Sequence, residues 1–197
     1  MKKNIGYRFF RVILSPIFRF WYNPKIINKE VLNIPGPVII AGNHKHVFDQ
    51  CLTIISTKRT INYMAKKEYF DDKKTAWFFK VVGCIPVDRQ IKDNDAVKSA
   101  LAVLKDGGSI GIFPEGTRNK TKNFLLPFKF GTVSMAKKTN ATIIPFGLTG
   151  DYKFRSKNLT ARFGTPFKVS NMTLEEANEK LYKEIKNLME ENLKTGD

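Results

Sequence analysis

The hydrophobic pattern of the chain changes after Pro35-Gly36-Pro37, where short apolar runs begin to alternate with segments of helical periodicity. Short apolar runs bounded by turn residues are typical of buried β-strands. Their alternation with helices is typical of an α/β domain, in which a mostly parallel central sheet is flanked by helices. We therefore predict a single domain of this class, with strands at 38–41, 61–65, 84–87, 109–113, 142–148 and 159–163.

Helices are predicted between these strands and after the last one. Asp93 or Asn94 can cap a helix that runs to residue 105, before Gly107-Gly108. Thr173 and Glu176 have the spacing of a capping box and predict the start of a final helix. Shorter helices are predicted at 48–56 and 129–138.

The N-terminal segment 5–22 has the pattern of an amphipathic helix. Arginines recur on one face, and phenylalanine, isoleucine, leucine and tryptophan cover the rest. Such a helix suits a lipid interface, where arginines meet phosphates and apolar side chains enter the acyl boundary. The alternative is an ordinary helix packed on the domain. One helix can also do both, with one side on the domain and the other on the lipid. The predicted membrane-binding residues are Arg8, Phe9, Phe10, Arg11, Arg19 and Trp21.

These patterns divide the chain into a membrane-associating segment, 1–34, and an α/β domain, 35–197. No stretch reaches the roughly 18 to 20 apolar residues of a spanning helix, and no small-residue cleavage site follows the N-terminal apolar part. We therefore expect a chain that neither spans a membrane nor is secreted. Cys51 and Cys84 lie in unlike contexts, which favours a reduced cytosolic protein with both thiols in the core.

The net charge of +16, from 34 basic and 18 acidic side chains, implies an anionic partner. Nucleic acid, membrane phospholipid, a phosphorylated substrate and an acidic carrier protein would all fit this charge. The basic residues are scattered, however, and no nucleic-acid-binding motif accompanies them. We therefore expect no nucleic acid among the partners. A non-enzymatic basic module that binds nucleic acid or membrane is the weaker hypothesis, compared with an enzyme.

His44 and Asp49 follow the apolar run 38–41 and have the chemistry of a general base with an orienting carboxylate. Residues five apart on a continuous helix face away from each other, so the pair requires a bend. We predict a strand that ends near Gly42, a turn that carries His44, and a helix that begins near Asp49. The alternative is that Asp49 merely caps the helix while His44 lies in a loop.

A second polar block, 113–118, also follows a predicted strand and has the composition of an anion-binding loop. Gly116 permits close backbone approach, Thr117 offers a hydroxyl donor, and Arg118 presents a planar fork that matches a phosphate. Arg89, just past another strand, either joins the same phosphate or forms a structural ion pair with an acidic neighbour. Ligands of α/β sheets bind at the carboxyl ends of the strands, where these segments would converge with His44.

The chain resembles the 1-acylglycerol-3-phosphate acyltransferases of the glycerophospholipid acyltransferase family in four motifs, which span about half of its length. Any one of these motifs is weak evidence, whereas four in the right order are strong. They are Asn43-His44-x4-Asp49, the sequence Gly-Cys-Ile-Pro-Val-Asp-Arg at 83–89, Phe-Pro-Glu-Gly-Thr-Arg at 113–118 and Ile-Ile-Pro-Phe at 143–146.

This resemblance implies transfer of a fatty acyl group from an acyl thioester, on acyl carrier protein or coenzyme A, to the hydroxyl of lysophosphatidate. The product would be phosphatidate, no cofactor or metal would be needed, and the protein would lie at the cytoplasmic face of the cell membrane. Another lysophospholipid or glycerol 3-phosphate is the alternative acceptor. The motifs imply catalytic roles for His44 and Asp49, and they assign the acceptor's glycerol phosphate to Arg89, Glu115, Gly116, Thr117 and Arg118.

The histidines and cysteines of the chain allow three other roles. His46 could be the base instead, although the motif register selects His44. A zinc site could use both histidines and Asp49, but the chain has no third histidine. Cys51 or Cys84 could attack a thioester, but nothing adjacent reliably activates either thiol.

Overall fold

The computed structural model describes residues 4–88, 91 and 93–194. These residues form seven helices, seven strands and a 3₁₀ helix at Lys29–Asn33. The helices are α1 (Ile5–Tyr22), α2 (Asp49–Ile54), α3 (Glu68–Asp71), α4 (Lys73–Val81), α5 (Asn94–Lys105), α6 (Gly131–Thr139) and α7 (Leu174–Lys194). The strands are β1 (Lys25–Ile27), β2 (Val38–Gly42), β3 (Ile61–Lys66), β4 (Ile85–Val87), β5 (Ser109–Ile112), β6 (Thr142–Thr149) and β7 (Thr160–Phe163).

The strands form one sheet in the order β1-β7-β6-β2-β5-β3-β4. The pairs are parallel except β6 with β7, so the predicted mostly parallel sheet is confirmed. All six predicted strands are present. The pattern missed β1, because three residues at a sheet edge are too few to establish a periodicity. It also missed α3 and α4; the side chain of Asp72 caps α4 by accepting from the Lys74 N–H at 2.9 Å.

Helices cover both faces of the sheet, which leaves its central strand fully buried. Neighbouring residues of β2 therefore enter different halves of the core. Ile39 belongs to a cluster that contains residues of α5, α6 and α7, whereas Ile40 belongs to a cluster that contains Leu52 of α2. This two-sided burial explains why the strand reads as a continuous apolar run instead of an alternating one.

The predicted N-terminal helix is confirmed as α1, with Asn4 capping it by accepting from the Tyr7 N–H at 2.9 Å. Arg11 donates to the carbonyl of Thr57 at 3.3 Å, and Arg19 donates to the carbonyl of Ile55 at 2.6 Å. These two guanidinium groups therefore bind the segment that follows α2. The helix also packs through Phe10, whose ring lies against those of Trp77 and Phe78.

The rest of α1 presents an apolar surface to solvent. Arg8 is exposed beside it. None of the helices in the described ranges is both long and apolar enough to cross a membrane. Segment 1–34 also contributes β1, which pairs with β7; the division of the chain at residue 34 stays a prediction. The exposed large apolar side chains of α1 are Ile5, Phe9, Val12, Ile13, Leu14, Ile17, Phe20 and Trp21.

Candidate active site

The site begins where β2 leaves the sheet. Asn43, the next residue, is buried, and its amide both donates to the carbonyl of Leu148 and accepts from the N–H of Leu148. Its side chain therefore extends the ladder between β2 and β6 by one step while the backbone turns away. Gly42 is required just before this turn, because a Cβ at this position would lie 2.3 Å from the ring of Phe146.

The turn after β2 brings His44 and Asp49 together. Nδ1 of His44 lies 2.8 Å from Oδ2 of Asp49, whose side chain is fully buried. The backbone N–H groups of Lys45 and His46 donate to the same oxygen, at 2.7 and 2.8 Å. The carboxylate of the first residue of α2 thus folds back over the turn, and the predicted strand, turn and helix arrangement is confirmed.

His44 is held from its other side by the loop after β5. Its ring stacks on that of Phe113, with centroids 4.0 Å apart and planes 10° from parallel. Its N–H donates to Oε1 of Glu115 at 2.7 Å, and its carbonyl accepts from the N–H of Asn119 at 2.7 Å. Because Nδ1 faces Asp49, Nε2 is the ring nitrogen left to exchange a proton with a ligand.

Glu115, one of the predicted acceptor-binding residues, is almost completely buried. The side chain is 4% exposed, and its second oxygen accepts from the N–H of Leu126 at 2.9 Å. Burial raises the pKa of this carboxyl group, while its two backbone hydrogen bonds act in the opposite direction. Glu115 therefore joins two loops and holds the backbone of His44, with one N–H donor on each of its oxygens.

The remaining residues of the predicted anion-binding loop lie at the same edge of the sheet. Gly116 has a φ of +72°, and a Cβ there would lie 2.9 Å from the side chain of Lys129. Thr117 and Arg118 are exposed. Arg89, the other predicted arginine, lies outside the described residues.

Comparison with known proteins identifies the family. A model of the family described as Acyltransferase matches residues 23–149, which is more than half of the chain. The chain belongs to this acyltransferase family. The expected α/β fold is confirmed by a solved structure, the 1-acyl-sn-glycerophosphate (LPA) acyltransferase PlsC from Thermotoga maritima. The two folds superpose with a TM-score of 0.76 at 21% sequence identity, and the match covers 96% of this chain and 78% of that one.

Two curated relatives are more similar in sequence. The 1-acyl-sn-glycerol-3-phosphate acyltransferase of Bacillus subtilis is 33% identical over 145 residues, which cover 73% of this chain and 71% of the relative. The enzyme of the same name from Borreliella burgdorferi is 35% identical over 144 residues, which cover 71% of this chain and 57% of the relative. The sequence resemblance to these enzymes is therefore confirmed.

A cavity of about 740 Å³ opens beside His44 of this acyltransferase. His44, Phe113 and Arg118 line it together with residues of α1, α2, β3 and α4. Most of these residues are apolar, so the cavity suits a hydrocarbon chain better than a polar ligand. Its aliphatic and aromatic lining includes Phe10, Leu14, Ile17, Phe18, Val47, Phe48, Ile54, Ile61, Met64, Phe78, Phe79 and Val82.

Tyr152 is a contact that the sequence analysis missed. Its hydroxyl donates to Oδ1 of Asp49 at 2.6 Å, and its ring stacks on that of His46 with centroids 4.2 Å apart. The strand pattern could have indicated this contact, because residue 152 follows the carboxyl end of β6, which is parallel to β2. Strands that run parallel end at the same sheet edge, so this loop lies beside His44.

Burial also shifts the pKa values of the other candidate groups, His46, Cys51 and Cys84. Burial lowers the pKa of His46. It raises the pKa of the Cys51 thiol to about 12 and that of the Cys84 thiol to about 11, so both remain protonated near neutral pH. Within the described residues, no group of three or more histidine, cysteine, aspartate or glutamate side chains could hold a metal ion.

Proposed function

We propose that this acyltransferase moves a fatty acyl group from an acyl thioester to the free hydroxyl of lysophosphatidate, giving phosphatidate. The observation that carries the proposal is the 2.8 Å hydrogen bond between His44 and buried Asp49 at the wall of a large apolar cavity. The names of the relatives from Bacillus subtilis and Borreliella burgdorferi support lysophosphatidate as the acceptor. The donor is coenzyme A or acyl carrier protein, both of which carry the acyl group as a thioester.

His44 acts as the general base in this proposal. Nε2 takes the proton of the acceptor hydroxyl as the oxygen attacks the thioester carbonyl, and the carboxylate of Asp49 stabilises the imidazolium that forms. The tetrahedral intermediate then expels the thiolate, which recovers the proton from the imidazolium. No acyl-enzyme is required. Such proton transfer contributes about 10² to 10⁴ in rate, and positioning of the two substrates adds to it.

Arg118 binds the phosphate of the acceptor in this proposal, since it lines the same cavity as His44 and a guanidinium can hold two phosphate oxygens at once. Thr117 adds a hydroxyl donor next to it, and Gly116 lets the loop pass close to Lys129. Arg89 joins the same phosphate according to the motif assignment. Glu115 serves the site through the backbone of His44.

The apolar cavity holds a fatty acyl chain. Aliphatic and aromatic side chains line it, and their burial against hydrocarbon contributes about 25 cal/mol per Å². A chain in this position would extend from the reacting carbonyl next to His44 towards α1 and α4. The polar headgroup would remain at the rim, near Arg118.

The exposed apolar side of α1 rests on the membrane that supplies the acceptor, at its cytoplasmic face. This surface continues beyond α1 into exposed Trp77 and Phe154, and the ring of Phe154 lies 5.0 Å from that of Trp21. Arg8 and Arg19 are both exposed, but Arg19 also donates to a carbonyl of the domain, as Arg11 does, so Arg8 has the clearest access to lipid phosphates. The excess positive charge of the chain supports an anionic lipid surface.

A thioester-release assay tests the acyl transfer. Purified protein, acyl-coenzyme A or acyl carrier protein thioester, and vesicles that contain lysophosphatidate should yield free thiol and phosphatidate in equal amounts. We expect His44→Ala to lower kcat by about 10³-fold or more with no loss of folded protein. His46→Phe, which keeps an aromatic ring on Tyr152, should retain most of the activity.

A panel of acceptors separates the closest alternatives. Lysophosphatidylethanolamine and glycerol 3-phosphate replace lysophosphatidate in otherwise identical reactions. Faster turnover of either acceptor would reject lysophosphatidate as the substrate and retain acyl transfer. Loss of activity in His46→Phe together with full activity in His44→Ala would reassign the base.

A further inference from the structure

The side chain of Tyr152, which lies outside the four sequence motifs, contacts the buried carboxylate of Asp49 in the candidate catalytic pair. Tyr152 donates to Oδ1 of Asp49 at 2.6 Å, whereas the three donors of the 44–46 turn meet Oδ2. We propose that Tyr152 is a positioning residue for acyl transfer: it fixes the plane of the Asp49 carboxylate and, through it, the ring of His44. This inference rests on the proposed function, in which His44 is the base.

The Asp49 carboxylate needs such a fixed partner on its second oxygen. Rotation of the carboxylate about its Cβ–Cγ bond, out of the plane it now occupies, would lengthen the contacts of Oδ2 with His44 and the turn. A donor at Oδ1 opposes this rotation, because an ionised carboxylate that is fully buried loses much energy when one oxygen lacks a donor. The Tyr152 hydroxyl supplies this donor.

The loop that carries Tyr152 is tied to the rest of the site. Nζ of Lys45 donates to the carbonyl of Gly150, so the 44–46 turn holds the start of the loop as well as the carboxylate. Gly150 has a φ of +82°, and a Cβ there would collide with the backbone of Asn158. The N–H of Asp151 donates to the side chain of Asn158 at 3.1 Å, which closes the loop. The position of the phenol is therefore determined by the fold.

The surroundings of Tyr152 also keep its hydroxyl a donor. Its ring stacks on His46, lies 5.6 Å from the ring of Tyr22 and lies 6.4 Å from the ring of Phe48. Burial, and then the charge of Asp49, raise the pKa of Tyr152 above its ordinary value. The phenol consequently stays protonated at any pH at which an imidazole works as a base.

The test compares Tyr152→Phe, which removes the hydroxyl and keeps the ring, with Tyr182→Phe on α7, whose ring packs on Phe128. We expect kcat of Tyr152→Phe to fall about 10- to 100-fold with KM for both substrates changed less than about twofold, and Tyr182→Phe to behave as wild type. A second measurement does not need activity. The chain has two histidines, so proton NMR with labelled histidine can follow solvent exchange of the His44 Nδ1 proton, which we expect to be about tenfold faster in Tyr152→Phe.

Each outcome decides between the alternatives. Unchanged kcat and unchanged proton exchange in Tyr152→Phe would overturn the positioning role. A raised KM with unchanged kcat would overturn it too, because it would make Tyr152 a substrate contact. If the wild-type protein turns over none of the acceptors, the proposed function fails, and the exchange rate alone still decides whether Tyr152 positions Asp49.

Discussion

At the scale of single residues, the buried carboxylates of the site are matched by hydrogen-bond donors. Asp49 accepts from the His44 ring, from two backbone N–H groups and from Tyr152, and Glu115 accepts from two more backbone N–H groups. A buried ion without such donors would cost several kcal/mol. These carboxylates therefore organise the loops around His44 while remaining compatible with burial.

Glu115→Gln tests the role of one of these carboxylates. An amide offers one acceptor oxygen to the two N–H donors of His44 and Leu126, so one donor loses its partner. We expect the free energy of unfolding to fall by about 1–3 kcal/mol and kcat to fall with it. Urea denaturation and the thioester assay measure the two effects, and exposed Glu175→Gln on α7 is the matched control. A variant with wild-type stability and a raised KM would instead support direct contact of Glu115 with the acceptor.

The thiols of Cys51 and Cys84 should react slowly in the native protein. With thiol pKa values of about 12 and about 11, the thiolate fraction near pH 8 is on the order of 10⁻³ or less, against about a quarter for an ordinary thiol. We expect labelling by a disulfide reagent at pH 8 to be at least about 100-fold slower than in guanidinium chloride. The native rate should then rise about tenfold per pH unit as the thiolate forms. Rapid labelling of either thiol in the native protein would instead support a cysteine as the nucleophile.

At the scale of elements, α1 connects the candidate pair with the proposed membrane surface. Its arginines Arg11 and Arg19 bind carbonyls just past the C-terminal end of α2, and α2 begins with Asp49. Cations are favoured at this end of a helix by the helix dipole. Arg11 and Arg19 thus anchor α1 next to the helix that carries Asp49, and the apolar face is left exposed.

The double variant Phe9→Glu with Val12→Glu tests the membrane contact of α1. Both side chains are exposed and neither lines the cavity, so the change should leave the site intact. We expect binding to anionic liposomes to weaken about 10-fold or more, because apolar burial is lost and two negative charges approach the lipid. Liposome sedimentation measures the effect. The matched control places the same two charges at exposed Val97 and Leu193, on α5 and α7. Equal binding of both double variants would refute the contact.

At the scale of the whole molecule, the parallel sheet collects the site from distant segments. The segment after β2 carries His44, the segment after β5 carries Glu115 and Arg118, and the segment after β6 carries Tyr152. These three strands are neighbours and run in the same direction, so their carboxyl ends meet at one edge. The helices that cover the sheet on the α1 and α2 side enclose the apolar cavity beside this edge.

The net charge of +16 predicts a salt-dependent component of membrane binding. Surface charges are screened within about 3 Å at 1 M salt, compared with about 10 Å at 0.1 M. We expect sedimentation with anionic liposomes to weaken about 10-fold between low and high salt, while a residual apolar component persists. Vesicles of zwitterionic lipid should show little salt dependence. Complete release at high salt would argue against a contribution from the exposed face of α1.

The sequence predicted the elements with strong local patterns and failed where the pattern was short. The six predicted strands, α1, α5 and the capping box of α7 are confirmed, since each depends on residues within one element. The edge strand β1 and helices α3 and α4 were missed. The bend that joins His44 to Asp49 was also predictable, because five residues of spacing exclude a continuous helix.

Local patterns and motifs were enough to predict the α/β class, the acyltransferase family and the histidine and aspartate that meet after β2. Three contacts became visible only in the folded chain: Glu115 holds the His44 backbone, Tyr152 donates to Asp49, and Arg11 and Arg19 donate to carbonyls of the domain. The reason is sequence separation. Periodicity and motif spacing report neighbours within one element, whereas these contacts join residues 36 to 103 positions apart, and packing of the whole sheet brings them together.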